Sequence, residues 1–300
     1  MADQSGPPAS IEAPDPATIT DPVIDWFGAN ARDLPWRRSD CSPWGVLVSE
    51  FMLQQTPVNR VLEPWQRWLD RWPTPEALAL EPAGEAVRAW GRLGYPRRAL
   101  RLHAAAVAIT ELHDGRVPDD HAELLALPGV GEYTAAAVAS FAYARAHPVL
   151  DTNVRRVLAR VFSGTQFPPP TPTVAERALA RRVMPDEEAA VWAAASMELG
   201  ALVCTAANPR CDDCPVARSC LWVALGRPAH DGPPRRGQAY AGTDRQVRGL
   251  LLQVLREHEG PVPGHRLDIV WPDATQRVRA LESLLADGLV LATGAEFRLP

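Results

Sequence analysis

Four of the five cysteines in this 300-residue chain lie within seventeen residues, so any fold must bring their thiols into one short loop. Cys204, Cys211, Cys214 and Cys220 follow the spacing C-x6-C-x2-C-x5-C. The N-terminus has no pattern of an export signal, and in a reducing compartment such crowding favours a metal site over disulfides. Four thiolates suit zinc or an iron–sulfur cluster, although zinc sites more often have two C-x2-C knuckles.

Helical patterning dominates from about residue 22 to residue 225. Trp65, Trp68, Leu69 and Trp72 follow the i, i+3, i+4, i+7 spacing of one buried helix face. No alternating strand pattern occurs before about residue 260. The sequence therefore predicts an all-α fold for most of the chain.

Changes in composition predict the domain bounds. Residues 1–20 are rich in Pro, Ala and acids, which predicts a disordered leader. Residues 227–243, rich in Gly, Pro and charge, predict a linker between a helical domain over 21–226 and a C-terminal module over 244–300. In that module, predicted helices over 244–257 and 274–287 precede a two-stranded ribbon, the order of a small winged-helix-like α+β module.

The net charge of −5 argues mildly against a nucleic-acid partner, but the charge is unevenly distributed. All 31 basic residues are arginine, and they recur as pairs at 37–38, 97–98, 155–156 and 181–182. The longest apolar runs are too short to span a bilayer, so no membrane partner is expected.

The segment Leu127-Pro128-Gly129-Val130-Gly131 lies between helices predicted over 119–126 and 133–143. Its glycines allow a tight turn, and the N-terminus of the second helix presents unpaired N–H groups and a positive dipole. The segment could therefore bind a phosphate without a side-chain charge. In isolation, it could equally be a plain turn between helices.

Two acidic residues stand out for their positions. Glu50 lies in SEFMLQQT, on a predicted helix otherwise lined by apolar side chains, and Asp151 opens the helix of DTNVRR. Alone, each could be a solvated charge or a helix cap.

Taken together, these segments resemble the MutY family of adenine DNA glycosylases over about residues 22–225. The resemblance runs, in family order, through DLPWR, SEFMLQQT, LGYPRRALRLHAAA, LPGVGEYTAAAV, VLDTNVRRVLAR, MELGALVC and the cysteine loop. It implies a two-lobed helix–hairpin–helix fold with a 4Fe–4S cluster on the four cysteines. It also implies double-stranded DNA with an adenine mispair as the partner. We expect a monomer that is cytoplasmic and nucleoid-associated.

The resemblance implies distinct roles for the two acids. Adenine leaves its sugar readily only when its ring is protonated, and an apolar setting helps Glu50 to keep the proton that it must donate. The sugar then becomes electron-poor, and an ionised Asp151 at a helix N-terminus would stabilise it. Two carboxyls in different environments can take different roles.

Other matching positions are also assigned by the resemblance. Trp36, Arg37 and Glu198 would line the adenine pocket, although Trp36 could equally be a core tryptophan. Gln55 and Tyr95 would enter the base stack as adenine flips out, and Asn153 would support Asp151. The hairpin residues that would contact DNA are Leu127, Gly129, Val130 and Gly131.

The chain contains no lysine. Glycosylases that also cut the strand commonly use a lysine for a Schiff base, and in the related endonuclease III branch that lysine occupies the position of Tyr133, which is also expected at the DNA interface. The resemblance therefore implies a monofunctional enzyme that acts on adenine opposite 8-oxoguanine or guanine and leaves an intact abasic strand.

The sequence departs from the family at two places. Thr152 replaces a glycine after Asp151, and the 57 residues after the linker are too few for the domain that reads 8-oxoguanine in typical members. Two alternatives remain open: a sister glycosylase for thymine or uracil opposite guanine, and a non-enzymatic iron–sulfur DNA-binding regulator. Glu50 favours adenine over the first, and the second leaves both acids unexplained.

Overall fold

The computed structural model describes residues 12–232 and 240–300. These residues are mostly helical, as predicted. The helices are α1 (Ala17–Asn30), α2 (Pro43–Leu53), α3 (Val58–Arg71), α4 (Pro75–Ala79), α5 (Ala83–Trp90), α6 (Arg97–Leu112), α7 (His121–Ala126), α8 (Glu132–Tyr143), α9 (Thr152–Ser163), α10 (Val174–Val183), α11 (Ala189–Leu202), α12 (Leu221–Ala224), α13 (Asp244–Arg256), α14 (Gly264–Asp268) and α15 (Ala274–Ala286). The strands are β1 (Val262–Pro263), β2 (Leu291–Thr293) and β3 (Glu296–Arg298).

The chain divides into two compact units. Unit 1 comprises residues 1–33 and 139–233, and unit 2 comprises residues 34–138 and 234–300. The helical domain expected over 21–226 is therefore shared between the two units, and the C-terminal module belongs to unit 2. Sequence periodicity could not reveal this division because its second boundary, between residues 138 and 139, lies inside the continuous helix α8. Among the described helices, none is long and apolar enough to cross a membrane.

Unit 1 has a core built around α9 and α11. Helix α11 packs against both α1 and α9, and α12 also packs on α9. The backbones of α9 and α11 approach so closely that a Cβ atom at Gly200 would lie 2.7 Å from the Cβ of Asn153. Gly200 therefore brings Asn153 and the start of α9 against α11.

Helix α1 begins inside the region expected to be a disordered leader. The Oδ1 atom of Asp15 accepts a hydrogen bond from the backbone N–H of Ala17 at 3.0 Å, and both Ile19 and Thr20 are buried. The leader prediction is therefore wrong for residues 17–20, because Ile19 belongs to the apolar core of unit 1. Residues 1–11 of the expected leader lie outside the described residues.

Tryptophans form the core of the helical part of unit 2. Trp65, Trp68 and Trp72 are each at most 5% exposed, which confirms the predicted buried face of α3. The Trp68 ring makes edge-to-face contacts with Trp72 at 4.7 Å and with Trp90 at 5.7 Å between centroids. Such pairs favour this geometry over a face-to-face stack.

The C-terminal segment, residues 240–300, packs against α5 within unit 2. The backbone N–H of Gly84 donates to the carbonyl of Pro300 at 2.6 Å, and the Nε of Arg256 donates to the carbonyl of Val87 at 3.0 Å. The predicted helices and C-terminal ribbon are present, and the ribbon joins β1 in an antiparallel sheet of order β1-β3-β2. Residues 233–239 of the expected linker lie outside the described residues.

Candidate active site and cysteine loop

Glu50 lies near the end of α2, in unit 2. The Ser42 side chain caps this helix by accepting from the backbone N–H of Gly45 at 3.1 Å, and Pro43 occupies the first turn. All residues from Trp44 to Met52 are buried, and Glu50 is 4% exposed. The structure thus buries this carboxyl, on a helix whose other buried residues are mostly apolar.

Gln55 and Tyr95 lie on two short loops of unit 2 that Arg98 holds together. The guanidinium of Arg98 donates to the carbonyl of Gln54 and lies 4.4 Å from the centroid of the Tyr95 ring. Gln55 and Tyr95 are exposed, and both have positive φ angles, 55° and 47°. Non-glycine residues rarely adopt this conformation and are found there mainly where the surroundings impose it.

The helix–hairpin–helix segment has the predicted form. Asp120 caps α7, the turn spans residues 127–131, and α8 starts at Glu132, one residue earlier than predicted. Leu127 and Val130 are buried, which anchors the turn, whereas Gly129 and Gly131 are exposed.

Gly129 is required for conformation and for space. Its φ of 79° lies in the left-handed region, and an added Cβ would lie 2.6 Å from the Cβ of Arg101. Tyr133 is the second residue of α8 and is half-buried.

Trp36 and Arg37 belong to a 3-10 turn over Pro35–Arg37. Trp36 is 6% exposed, and its ring makes an edge-to-face contact with Trp65 at 5.7 Å. Trp36 is therefore a core residue of unit 2, the alternative to a place in the adenine pocket. Arg37 follows it and is half-buried.

In unit 1, Asp151 caps the N-terminus of α9. Its Oδ1 accepts from the backbone N–H of Val154 at 2.6 Å, and its Oδ2 accepts from Nδ2 of Asn153 at 2.7 Å. The expected support of Asp151 by Asn153 is thus a direct hydrogen bond, and both carboxylate oxygens have a fixed orientation.

Burial raises the pKa of Asp151 above its ordinary value, although hydrogen bonds from Val154 and Asn153 and the charge of Arg156 act in the opposite direction. The helix N-terminus favours the ionised form of Asp151, as expected, but burial opposes it. Desolvation is the larger effect.

Glu198 is fully buried on α11 and forms a bidentate ion pair with Arg32. Its Oε1 accepts from Nε of Arg32 and its Oε2 from Nη2, both at 2.7 Å, and the backbone N–H of Arg32 also donates to it. No sequence pattern points to Arg32, because it is 166 positions from Glu198 and shares no periodic pattern with it.

The four crowded cysteines line one small cavity in unit 1, whose other walls are mainly apolar. Arg160, 1% exposed, donates to the Sγ of Cys204 at 3.3 Å and to the carbonyl of Thr205 at 2.8 Å. Burial raises the pKa of the Cys214 thiol to about 12, so the thiolates need positive charge in this cavity. The residues fit a bound cationic cluster.

Arg156 joins the cysteine loop to Asp151. Its Nε donates to the carbonyl of Cys204 at 2.7 Å, and its Nη2 donates to Oδ1 of Asn153 at 2.8 Å. The Asn153 side chain in turn donates to Asp151. One guanidinium therefore links the cysteine loop to the support of the catalytic candidate.

Comparison with known proteins gives a family for these features. Residues 48–185 match the family described as "HhH-GPD superfamily base excision DNA repair protein". Among solved structures, a thermostable thymine-DNA glycosylase superposes with a TM-score of 0.61 at 24% identity, over 69% of this chain and 95% of that chain. An endonuclease III–DNA complex gives a TM-score of 0.59 at 24% identity, over 69% of this chain and 94% of that chain. These superpositions show a shared fold.

The mycobacterial relatives match nearly all of the chain, and the human relative matches two thirds of it. The adenine DNA glycosylase of Mycobacterium tuberculosis (strain ATCC 25618 / H37Rv) is 52% identical over 297 residues, covering 98% of this chain and 97% of its own. That of Mycolicibacterium smegmatis is 53% identical over 272 residues, covering 90% of this chain and 92% of its own. The human adenine DNA glycosylase is 40% identical over 209 residues, 66% of this chain and 38% of its own. The chain belongs to the MutY-like adenine DNA glycosylases of the HhH-GPD superfamily of base excision repair proteins.

Proposed function

We propose that this protein is a monofunctional DNA glycosylase that hydrolyses the N-glycosidic bond of adenine mispaired with 8-oxoguanine or guanine. The observation that carries the proposal is a buried carboxyl, Glu50, in a chain that matches a mycobacterial adenine DNA glycosylase over nearly its full length. The partner is double-stranded DNA, on which the protein acts as a monomer in the cytoplasm, at the nucleoid.

The proposed reaction begins with proton donation. Glu50 gives its proton to a ring nitrogen of the extruded adenine, and the electron pair of the C1′–N9 bond then leaves with the protonated base. Removal of a charged carboxylate from water is unfavourable, so burial on α2 supports a Glu50 that carries its proton until adenine binds. Arg37 and Glu198 are each proposed to contact the extruded adenine.

Asp151 is proposed to stabilise the electron-poor sugar that remains. Its two oxygens are oriented by Val154 and Asn153, so the carboxylate needs little reorganisation as charge develops at C1′. Water then adds its oxygen to C1′ and releases a proton to solvent, from which Glu50 is protonated again, and the products are an abasic site and free adenine.

The absence of lysine from the sequence supports a monofunctional enzyme. No amine of a lysine side chain is available for a Schiff base with the sugar. Tyr133 is proposed instead to contact DNA beside the hairpin residues Leu127, Gly129, Val130 and Gly131.

The proposed cofactor is a 4Fe–4S cluster held by the four cysteines that line the cavity of unit 1. When bound, the cluster would supply positive charge to the thiolates and fix the loop. In residues 12–232 and 240–300, no three His, Cys, Asp or Glu side chains are placed to hold a single metal ion. The four cysteines share one cavity, and their spacing, with a single C-x2-C pair, supports a cluster of several metals better than one zinc ion.

We expect Arg160→Met to lower thermal stability and the iron content of the purified protein. It removes the hydrogen bonds of Arg160 to the Sγ of Cys204 and the carbonyl of Thr205, each worth on the order of 1 kcal/mol. Arg155→Met is the matched control: Arg155 is another buried arginine on α9, but it pairs with Glu176 instead of the loop. Wild-type protein purified without oxygen should hold about four irons per chain, whereas stoichiometric zinc would contradict the cluster.

The substrate is tested on four duplexes that differ in one base pair, A:8-oxoguanine, A:G, T:G or U:G. We expect adenine release from the first two, with strand breaks visible only after alkali treatment. Release of thymine or uracil without adenine would identify the sister activity. Sequence-specific binding without any base release would identify a regulator, and strand breaks before alkali treatment would contradict a monofunctional enzyme.

A further inference from the structure

A groove of about 1100 Å³ lies in unit 2, between the segment 91–101 and helix α13. Gln55 and Tyr95 line it on one side, and residues of the C-terminal segment line it on the other. Its lining includes eight arginines and one aspartate, in a chain whose net charge is −5. The groove therefore concentrates positive charge that the overall composition conceals.

The one acid among the described lining residues already forms ion pairs. Asp287 lies 3.1 Å from a guanidinium nitrogen of Arg97 and 2.6 Å from one of Arg248. Arg97 belongs to α6 and Arg248 to α13, so this ion-pair cluster also joins the two walls. Eight arginines against one aspartate leave the described lining with a large excess of positive charge.

Some arginines of the groove build its walls. Arg98 fixes the loops of Gln55 and Tyr95, and Arg256 is tied to the carbonyl of Val87. Others have exposed side chains: Arg60 and Arg101 on the wall of helices α3 and α6, and Arg245 on α13. Guanidinium groups recognise phosphate oxygens with paired hydrogen bonds.

The groove continues toward the hairpin. Arg101 lines the groove, and its Cβ would lie only 2.6 Å from a Cβ added at Gly129. The exposed glycines of the hairpin and the groove therefore form neighbouring parts of one surface within unit 2. A long polyanion could contact both, whereas a small anion would occupy only a fraction of the groove.

We propose that this arginine-lined groove binds the phosphodiester backbone of duplex DNA beside the point where Gln55 and Tyr95 enter the base stack, and that α13 supplies one of its walls. The inference rests on the proposed function for its partner. It assigns to the C-terminal segment a direct share in DNA binding.

The test measures the affinity of the full chain for a short undamaged duplex at several salt concentrations. Each lost phosphate contact should reduce the slope of log Kd against log salt by about one. We expect this reduction for Arg101→Ala, which keeps the Cβ next to Gly129, and separately for Arg245→Ala. Arg67→Ala removes the same charge from exposed α3 outside the groove and should leave the slope unchanged.

An unchanged slope for Arg245→Ala would overturn the role of α13, and an unchanged slope for both variants would overturn the groove. Equal reductions in all three variants would show only a general charge effect, which also contradicts the proposal. Thermal unfolding of each variant confirms that it is folded. The measurement needs no base excision, so a wild-type protein that releases no adenine would refute the proposed function without deciding this test.

Discussion

Glu50→Gln is expected to bind duplex DNA with wild-type affinity and to release adenine about 10²–10⁴-fold more slowly, the range that general acid catalysis contributes. The amide has nearly the shape of the carboxyl, so α2 can keep its packing, but it cannot donate the acid proton. Single-turnover excision of adenine opposite 8-oxoguanine gives the rate, and fluorescence anisotropy gives the affinity.

The control for this variant is Glu63→Gln, the same chemical change at an exposed position of α3. Its excision rate should equal that of the wild type. Undiminished turnover in Glu50→Gln would remove Glu50 from the role of acid. A loss of affinity as large as the loss of rate would instead indicate a damaged fold.

Asp151→Asn is expected to lower the excision rate about 10²-fold or more, because a neutral amide cannot stabilise the developing positive charge of the sugar. The wild-type rate should fall as the pH falls through the pKa of Asp151, which burial raises above 3.8. The variant should lack this acid limb of the pH–rate profile. An acid limb that persists unchanged would assign it to another group.

The same raised pKa has a consequence for stability. Because folding makes Asp151 harder to ionise, its contribution to the free energy of unfolding decreases as the pH rises from 3.8 through the pKa of the folded state. The difference in this free energy, Asp151→Asn minus wild type, should therefore increase over that window. Asp273→Asn is the control, since Asp273 also caps a helix but is exposed.

Local patterns were sufficient to predict features that depend on neighbours along the chain. The buried face of Trp65, Trp68 and Trp72 follows from helical periodicity, and the cap at Asp151 follows from the chemistry of helix N-termini. The glycine turn at 127–131 is likewise a local property. Each was correct because the residues that decide it are a few positions apart.

Features that depend on distant residues could not be predicted in this way. The contacts of Arg32 with Glu198 and of Arg160 with the cysteine loop depend on how the helices pack. The predicted leader wrongly includes residues 17–20, which begin α1. Ile19 is the only large apolar residue among these four, so they carry little periodic signal. The groove is formed by two segments, 91–101 and α13, that are separated along the chain by residues 102–243 and carry no shared motif.

Arg156 contacts both the cysteine loop and the support of Asp151. Its guanidinium holds the carbonyl of Cys204 and the amide of Asn153 at the same time. A substitution that reshapes the loop therefore also disturbs the orientation of Asp151, and the reverse holds as well. The durability of the loop and the orientation of the Asp151 carboxylate are thus coupled through one side chain, so adaptive changes in this part of the chain must satisfy both demands at once.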